Sequence, residues 1–390
     1  MAHKEIRGTV TSRSPSKRRI AVYIGRFQPF HRGHEYVLNH CLTNYDETIV
    51  LVGSAFKARD IENPFTYDER RQVIRNWYDE KVEVIPATQR TADLAIRPLQ
   101  DHPYNDAEWT KTVQECVTAL ARDGAEITLV GCDRDATTWY LKSFPQWGLD
   151  IIEPYRNIPG LAATQVRAHY FGRTPGHTYT PIHEWDGLLK VTADFLVEFQ
   201  RGPHFKSLCW QYNFLQDYKE KWGPGPFVTA DACVVQSGHI LLIERGPEEY
   251  GAGLLAMPGG FVKPKQRIKD AAIDECMEET GILLATGKRD KEITRDMLMG
   301  SIRDWEQFDH PRRSLRGRIF TTAYLIRLND TKPLPKVSGQ FVPLGEEGGG
   351  VRIETSNAKW WPMAEALDDP SIWFEDHHPM AETMISLIRD

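Results

Sequence analysis

The chain has 390 residues, of which 41% are hydrophobic and 26% are charged, and its net charge is −6. This length suits two domains with separate cores, and no apolar run approaches the length of a membrane span, so we expect no membrane insertion. A net negative charge gives no general reason to bind nucleic acid, whose affinity comes largely from clustered basic residues.

A basic tail, residues 1–18, opens the chain and leads into no apolar segment, so it does not have the pattern of a secretory signal. The six cysteines are scattered and form no C-x-x-C pair, which argues against a zinc site and a disulfide framework. We therefore expect a cytoplasmic protein. The sequence leaves the oligomeric state and the role of the tail undetermined.

Residues 19–178 alternate short β-branched runs with helical patterns, and Thr66 and Glu69 have the spacing of a capping box at one helix start. Alternating strands and helices predict a parallel sheet covered on both faces, the α/β doubly wound class. The predicted strands are IAVYIG, TIVLVG, VEVIPA, EITLVG and DIIEPY. The predicted helices follow His34, begin at Thr66, span about 106–122 and begin at Asp135.

Residues 179–225 predict a helical connector of two helices, which the sequence G-P-G-P at 223–226 ends. Residues 226–390 have a different pattern, in which the runs VTADACVV and HILLIER flank Gln236-Ser237-Gly238, a hairpin signal. A helix over about 266–280 and the strand run RIFTTAYLIRL follow. This pattern predicts an α+β domain.

The segment GRFQPFHRGH, residues 25–34, lies where the first predicted strand ends and the first helix begins. Ligands bind at this carboxyl edge in open α/β sheets. Gly25 permits close backbone approach, the helix start attracts phosphate, and His31 and His34 add donors. A second helix start, LAATQVR at 161–167, supplies Thr164 and Arg167, whose side chains also suit phosphate. The alternative is a glycine turn with two surface histidines.

The first segment resembles the H-x-G-H element of the nucleotidyltransferase superfamily, and the second resembles its I-S-x-T-x-x-R element, with Ala162 in place of the serine donor. Three further stretches, at 63–71, 103–106 and 131–147, are similar to nicotinamide-nucleotide adenylyltransferases fused to Nudix domains. The chain is thus identified as a member of the bifunctional nicotinamide-nucleotide (NMN) adenylyltransferase/Nudix hydrolase family.

This resemblance implies a Rossmann-like nucleotidyltransferase domain that transfers the adenylyl group of ATP to NMN, releasing pyrophosphate and forming NAD. It also implies catalytic roles for His31, His34 and Arg167. The implied ATP-binding residues are Gly25, Arg26, Phe27, His31, His34, Thr164 and Arg167. The implied nicotinamide-nucleotide-binding residues are Tyr104, Trp109 and Asp133. For the two aromatic rings, a place in the core remains the alternative.

In the C-terminal half, the spacing Gly260-x5-Gln266-x7-Asp274-Glu275-x2-Glu278-Glu279 resembles the Nudix box. On a helix, Glu275, Glu278 and Glu279 share one face, and clustered carboxylates attract a hard divalent cation. The resemblance implies that these residues are catalytic and bind Mg²⁺, with Mn²⁺ as an alternative. The competing interpretation is a solvated, charged helix face.

Two positions depart from the box, because Gln266 replaces its first glutamate and Asp274 replaces its arginine. Two hypotheses follow: a domain that hydrolyses ADP-ribose to AMP and ribose 5-phosphate, or a domain that senses ADP-ribose or NAD without hydrolysis. A third hypothesis concerns the N-terminal half, which would transfer a nucleotide to another acceptor, such as pantetheine phosphate.

The segment FDHPRRSLRGR, residues 308–318, is similar to ADP-ribose-hydrolysing members of this family. The similarity implies that Arg316 and Arg318, with Gly260, bind ADP-ribose, although solvated loop charges are the alternative. The general base is left unassigned among Glu346, Glu347 and Glu354.

Overall fold

The computed structural model describes residues 17–84, 93–132, 136–153, 162–172, 180–284, 291–337 and 355–388. No helix in these ranges is both long enough and apolar enough to span a membrane.

The N-terminal domain contains a five-stranded sheet in which all neighbouring strands are parallel. Its strands are β1 (Arg19–Gly25), β2 (Glu47–Val52), β3 (Asp93–Pro98), β4 (Glu126–Gly131) and β5 (Gly148–Ile151). Their order is β3-β2-β1-β4-β5. Alternate residues of β1 enter two separate apolar cores, with Ala21 in one and Ile20 and Val22 in the other. Apolar cores on both faces confirm the predicted doubly wound class.

Three helices lie between these strands in the chain: α1 (Arg32–Asn44), α2 (Tyr67–Val84) and α3 (Asp106–Thr118). A 3-10 segment at Ala136–Lys142 precedes β5, and α4 (Ala163–Phe171) follows β5. The predicted capping box of α2 is present, because the Thr66 N–H donates to Glu69 and the Glu69 N–H donates to the Thr66 hydroxyl. These bonds satisfy amides that the first helical turn leaves without backbone acceptors.

The predicted strand VEVIPA is wrong for its first three residues, which are the last residues of α2, and its other residues lie outside the described ranges. The edge strand is instead β3, with buried Leu94 and Ile96 alternating with more exposed residues. An edge strand lacks the continuous apolar run of a central parallel strand. Residues 82–84 extend a helix whose earlier turns pack Val73, Ile74 and Trp77 into the core.

Two helices, α5 (Lys190–Phe199) and α6 (Pro203–Trp222), follow the sheet where the connector was predicted. Their apolar residues pack against α4 in a cluster that includes Tyr170, Phe171 and Leu196. Farther along α6, Leu215 joins a core cluster of the C-terminal domain. The connector therefore contacts both domains.

The C-terminal domain is the predicted α+β structure, with a mixed sheet. Its strands are β6 (Phe227–Gln236), β7 (His239–Arg245), β8 (Leu255–Ala256), β9 (Gly259–Phe261), β10 (Leu283–Leu284), β11 (Lys291–Glu292), β12 (Ile302–Phe308), β13 (Ile319–Arg327) and β14 (Thr355–Pro362). Its helices are α7 (Ile268–Thr280), α8 (Arg295–Gly300), α9 (Met363–Asp368) and α10 (His377–Ser386). The main order is β12-β13-β6-β7-β14, with β13 and β6 parallel. The predicted hairpin joins β6 to β7, and positive φ angles at Ser237 and Gly238 form its turn.

Candidate functional site

A cavity of about 410 Å³ opens at the carboxyl edge of the N-terminal sheet. The starts of α1 and α4, which are far apart in sequence, both reach it. All seven residues predicted to bind ATP line this one cavity. They are Gly25, Arg26, Phe27, His31, His34, Thr164 and Arg167. The volume suits a small-molecule ligand.

The two histidines form the start of α1 and bond to its backbone. The Gly33 N–H donates to Nδ1 of His31 (3.1 Å), and the His31 N–H donates to Nδ1 of His34 (3.3 Å). The rings are stacked, with centroids 3.8 Å apart. Because each Nδ1 accepts a hydrogen bond, the neutral rings carry their proton on Nε2, where it can be donated to an oxyanion.

Arg167 approaches the same cavity from α4. Its guanidinium donates to the carbonyl of Gln28 (2.6 Å) and to the hydroxyl of Thr164 (3.4 Å). Burial lowers the pKa of Arg167 to about 10, and the nearby charge of Arg26 adds to this effect. A partly desolvated guanidinium that remains charged at neutral pH attracts an anion strongly. Ala162, the residue before α4, makes no capping bond with its side chain.

Part of the cavity wall is aromatic. Trp109 lines the cavity and also packs 5.3 Å from Trp139 and 6.1 Å from Phe144, measured between ring centroids. Trp109 therefore belongs both to the cavity wall and to the core, which were alternatives in the sequence. Ser54 and Asp101, which sequence reasoning missed, join this wall through a 2.6 Å hydrogen bond from hydroxyl to carboxylate.

Arg70 is a second residue that sequence reasoning missed. It is 2% exposed, and its guanidinium donates to the backbone carbonyls of Arg26, Gly53 and Ser54 at 2.7 to 3.0 Å. These carbonyls belong to the segments that follow β1 and β2. Arg70 thus fixes the positions of two loops at the cavity.

Tyr104 is not one of the described residues lining the cavity. Its hydroxyl donates to the carboxylate of Asp376, and its ring packs edge-on against Phe308 of the other domain. Burial raises the pKa of Tyr104 above its usual range, and the charge of Asp376 raises it further. Tyr104 therefore contacts the C-terminal domain. The third residue of the predicted nicotinamide subsite, Asp133, lies outside the described residues.

In the C-terminal domain, α7 carries the three predicted carboxylates. Glu279 accepts a hydrogen bond from the Gly259 N–H (2.9 Å), and the carboxylate of Glu275 occupies the space beside Gly260 that a β-carbon would fill. Glu278 instead lies 3.8 Å from the ammonium of Lys263. Among the described residues, no three acidic, histidine or cysteine side chains form a group that could hold a metal ion.

The chemistry of Glu279 nevertheless fits a divalent cation. Burial raises its pKa well above the usual range, against the hydrogen bond from Gly259, and the nearby carboxylate of Glu275 raises it further. Two neighbouring carboxylates, one of them desolvated, repel each other less when a hard cation binds their oxygens. Glu275 and Glu279 thus offer oxygen donors of the kind that such an ion prefers.

The two departures from the Nudix box bond to each other. The Gln266 amide donates to the Asp274 carboxylate (2.9 Å) and accepts from the Lys263 N–H (3.0 Å). The guanidinium of Arg295 donates to both Asp274 (2.8 Å) and Asp270 (2.7 Å). The neutral amide of Gln266 and the carboxylate of Asp274 therefore link the loop that precedes α7 to the helix. Arg295 supplies the positive charge beside Asp274.

The two predicted arginines of the 308–318 segment lie in different surroundings. Arg316 pairs with Glu375 (3.1 Å) and lies near the ring of Phe374, whereas Arg318 stacks on Phe320 and donates to a backbone carbonyl. Arg245, which no sequence pattern singled out, lies near enough to Glu279 to affect its pKa. The three candidate bases Glu346, Glu347 and Glu354 lie outside the described residues.

Family models match each half of the chain: a Cytidylyltransferase-like model matches residues 22–155, and a NUDIX domain model matches residues 226–383. The chain is also similar to the nicotinamide-nucleotide adenylyltransferase of Methanocorpusculum labreanum, with 48% identity over 168 residues, 42% of this chain and 86% of that protein. Similarity extends to the nicotinamide/nicotinic acid mononucleotide adenylyltransferase of Acinetobacter baylyi, with 29% identity, covering 49% of this chain and 92% of that protein.

Two of the similar solved structures match both domains together. One of them is a bifunctional NMN adenylyltransferase/ADP ribose pyrophosphatase from Francisella tularensis, complexed with AMP and a Mn ion. The TM-score is 0.76 at 27% identity, and the match covers 95% of this chain and 99% of that chain. The arrangement of two domains in one chain is therefore shared with a known protein.

Proposed function

This chain belongs to the nicotinamide-nucleotide adenylyltransferase family and carries a NUDIX domain, and on that premise we propose two reactions for it. The N-terminal domain joins ATP and NMN to form NAD and pyrophosphate. The C-terminal domain hydrolyses ADP-ribose to AMP and ribose 5-phosphate.

The observation that carries the first reaction is the shared cavity at two helix starts. His31 and His34 come from the start of α1, while Thr164 and Arg167 come from the start of α4. Helix starts and guanidinium groups are the features that proteins use to bind phosphate chains. A nucleoside triphosphate placed between them would accept hydrogen bonds from both helix starts.

Adenylyl transfer needs no covalent intermediate on the protein, because the NMN phosphate attacks the α-phosphorus of ATP directly and pyrophosphate leaves. Catalysis of such a step depends on positioning and on neutralising charge. The Nε2–H groups of His31 and His34 and the guanidinium of Arg167 would stabilise the charge that develops on the phosphate oxygens. On the aromatic wall, Trp109 offers a flat apolar face for the nicotinamide ring.

For the second reaction, Glu275 and Glu279, together with Glu278, would hold a divalent cation, Mg²⁺ or alternatively Mn²⁺. When bound, such a cation neutralises charge on the diphosphate and lowers the pKa of a water molecule. Arg316 would bind the diphosphate. The hydrogen bond between Gln266 and Asp274 supports hydrolysis over sensing, because it keeps the loop attached to the helix that carries the carboxylates.

Both reactions are tested on the full chain with two single substitutions. We expect His34→Ala to abolish NAD formation from ATP and NMN and to leave AMP release from ADP-ribose intact, and Glu279→Gln to do the reverse. His204→Ala, an exposed histidine on α6, is the matched control and should preserve both activities. Equal loss of both activities in either variant would contradict the assignment of two separate sites.

The acceptor is tested by incubating the protein and ATP with NMN, its deamidated form and pantetheine phosphate in parallel. Fastest product formation with a nicotinamide-type mononucleotide supports the proposed function. Preference for pantetheine phosphate would overturn the proposed acceptor, although adenylyl transfer itself would remain.

A further inference from the structure

The wall of the N-terminal cavity includes one described residue from the C-terminal domain, Arg312. We propose that Arg312 binds phosphate in this cavity, so that the second domain completes the polyphosphate site of the first. This inference rests on the proposed adenylyl transfer for the identity of the ligand, a nucleoside triphosphate or pyrophosphate.

The backbone around Arg312 is held in place by its own domain. The Arg312 N–H donates to the ring of His310 (3.2 Å), and the next residue, Arg313, is buried and makes two 3.0 Å bonds to the Asp376 carboxylate. Tyr104 of the N-terminal domain bonds to the same carboxylate. The segment that presents Arg312 is therefore fixed to both domains, whereas its guanidinium side chain is 42% exposed.

Arg312 reaches across to Glu62 of the N-terminal domain, with 2.5 Å between the guanidinium and the carboxylate. The same carboxylate oxygen lies 3.5 Å from the guanidinium of Arg26, one of the predicted ATP-binding residues. Burial alone would raise the pKa of Glu62, but the charge of Arg312, with Arg26 and Arg167, lowers it to about 2. Glu62 is therefore a carboxylate that brings two guanidinium groups together at one edge of the cavity.

The local charge balance favours a polyphosphate at this edge. Three guanidinium groups, from Arg26, Arg167 and Arg312, line the cavity. The carboxylates near them are Glu62, Asp60 beside Arg167, and Asp101 in the cavity wall, where it accepts hydrogen bonds from Ser54. Guanidinium groups match phosphate oxygens in geometry and charge, and phosphate carries more negative charge than one carboxylate. A phosphate chain in the cavity would thus bind Arg312 either together with Glu62 or in place of it.

The binding test uses the full chain and inorganic pyrophosphate, titrated by calorimetry into wild type and Arg312→Gln. We expect the variant to bind about tenfold more weakly at the N-terminal cavity, the effect of losing one charged phosphate contact. Arg303→Gln is the matched control, because Arg303 is exposed on the same domain and donates to backbone carbonyls. Wild type and both variants keep the C-terminal site, so any pyrophosphate binding there is common to all three titrations.

The kinetic test measures NAD formation. Arg312→Gln should raise the KM for ATP about tenfold and change the KM for NMN less than twofold, and Arg312→Lys should fall between the variant and wild type. Far-UV circular dichroism and urea unfolding monitor folding of the variant, because Arg312 lies in the 308–318 segment that the sequence predicts to bind ADP-ribose. Unchanged pyrophosphate affinity and unchanged KM for ATP would overturn the role of Arg312. Absence of NAD formation in wild type would overturn the proposed function instead, and the pyrophosphate titration would still decide whether Arg312 binds phosphate.

Discussion

The hydrogen bond between Gln266 and Asp274 predicts a specific pattern of coupling between two substitutions. Gln266→Glu replaces an amide donor 2.9 Å from a carboxylate with a second carboxylate. Two unit charges about 4 Å apart repel by about 1 kcal/mol in water and about 4 kcal/mol near a protein surface. Asp274 is 30% exposed and paired with Arg295, so the repulsion should lie near the lower limit. With the lost hydrogen bond, we expect a destabilisation of about 2 kcal/mol.

The second substitution, Asp274→Arg, removes the acceptor of Gln266 and the partner of Arg295, places a second guanidinium beside Arg295, and should cost about 2 kcal/mol. Together, the two changes place a glutamate opposite an arginine, the pair found in the Nudix box. Opposite charges then face each other, and Arg295 keeps its bond to Asp270. The double variant should therefore be more stable than the sum of the single changes by at least about 1 kcal/mol.

The measurement is equilibrium urea unfolding of the full chain, with AMP release from ADP-ribose at each urea concentration as a signal specific to the C-terminal domain. Gln307→Glu, an exposed glutamine on β12, controls for the added charge and should change stability by less than about 0.5 kcal/mol. Strictly additive effects of the two substitutions would refute the reasoning, because they would show that the two side chains do not interact.

Three further predictions concern single residues. Gly260→Ala would place a β-carbon 2.7 Å from the Glu275 carboxylate. We therefore expect AMP release to fall at least about tenfold while NAD formation is kept. Unchanged AMP release would show that Glu275 can move without loss of activity. Burial raises the pKa of Asp231 from 3.8 to about 6, so the unfolded chain ionises first and the free energy of unfolding falls as pH rises from about 4 to 6. Asp231→Asn should remove up to about 3 kcal/mol of this pH dependence in urea unfolding. If the substitution changed the free energy of unfolding equally at pH 4 and pH 7, the raised pKa of Asp231 would be refuted. Tyr104→Phe removes the hydrogen bond to Asp376 and should lower stability by about 1 to 2 kcal/mol in urea unfolding without changing the KM for NMN; a raised KM would favour the nicotinamide subsite for Tyr104.

The sequence by itself predicted the fold classes and the seven residues at two helix starts that line part of the main cavity. Strong periodic patterns sufficed, because the central strands are buried on both faces and the hairpin and capping signals are local. The H-x-G-H element and the Thr164 and Arg167 pair could be predicted as phosphate-binding, since each is a short segment with its own chemistry. Their convergence on one cavity also follows from topology, because the carboxyl ends of parallel strands meet at one edge.

Only the tertiary structure decided which distant residues share a site. The edge strand β3 was missed because burial on one face gives a weak pattern, and Arg70 because its carbonyl acceptors belong to other segments of the chain. Tyr104 donates a hydrogen bond to Asp376, and Arg312 bonds to Glu62 at the N-terminal cavity. In each case the two partners are more than 200 residues apart in the sequence. Local sequence patterns carry no information on such contacts, since they arise from the way the two domains pack.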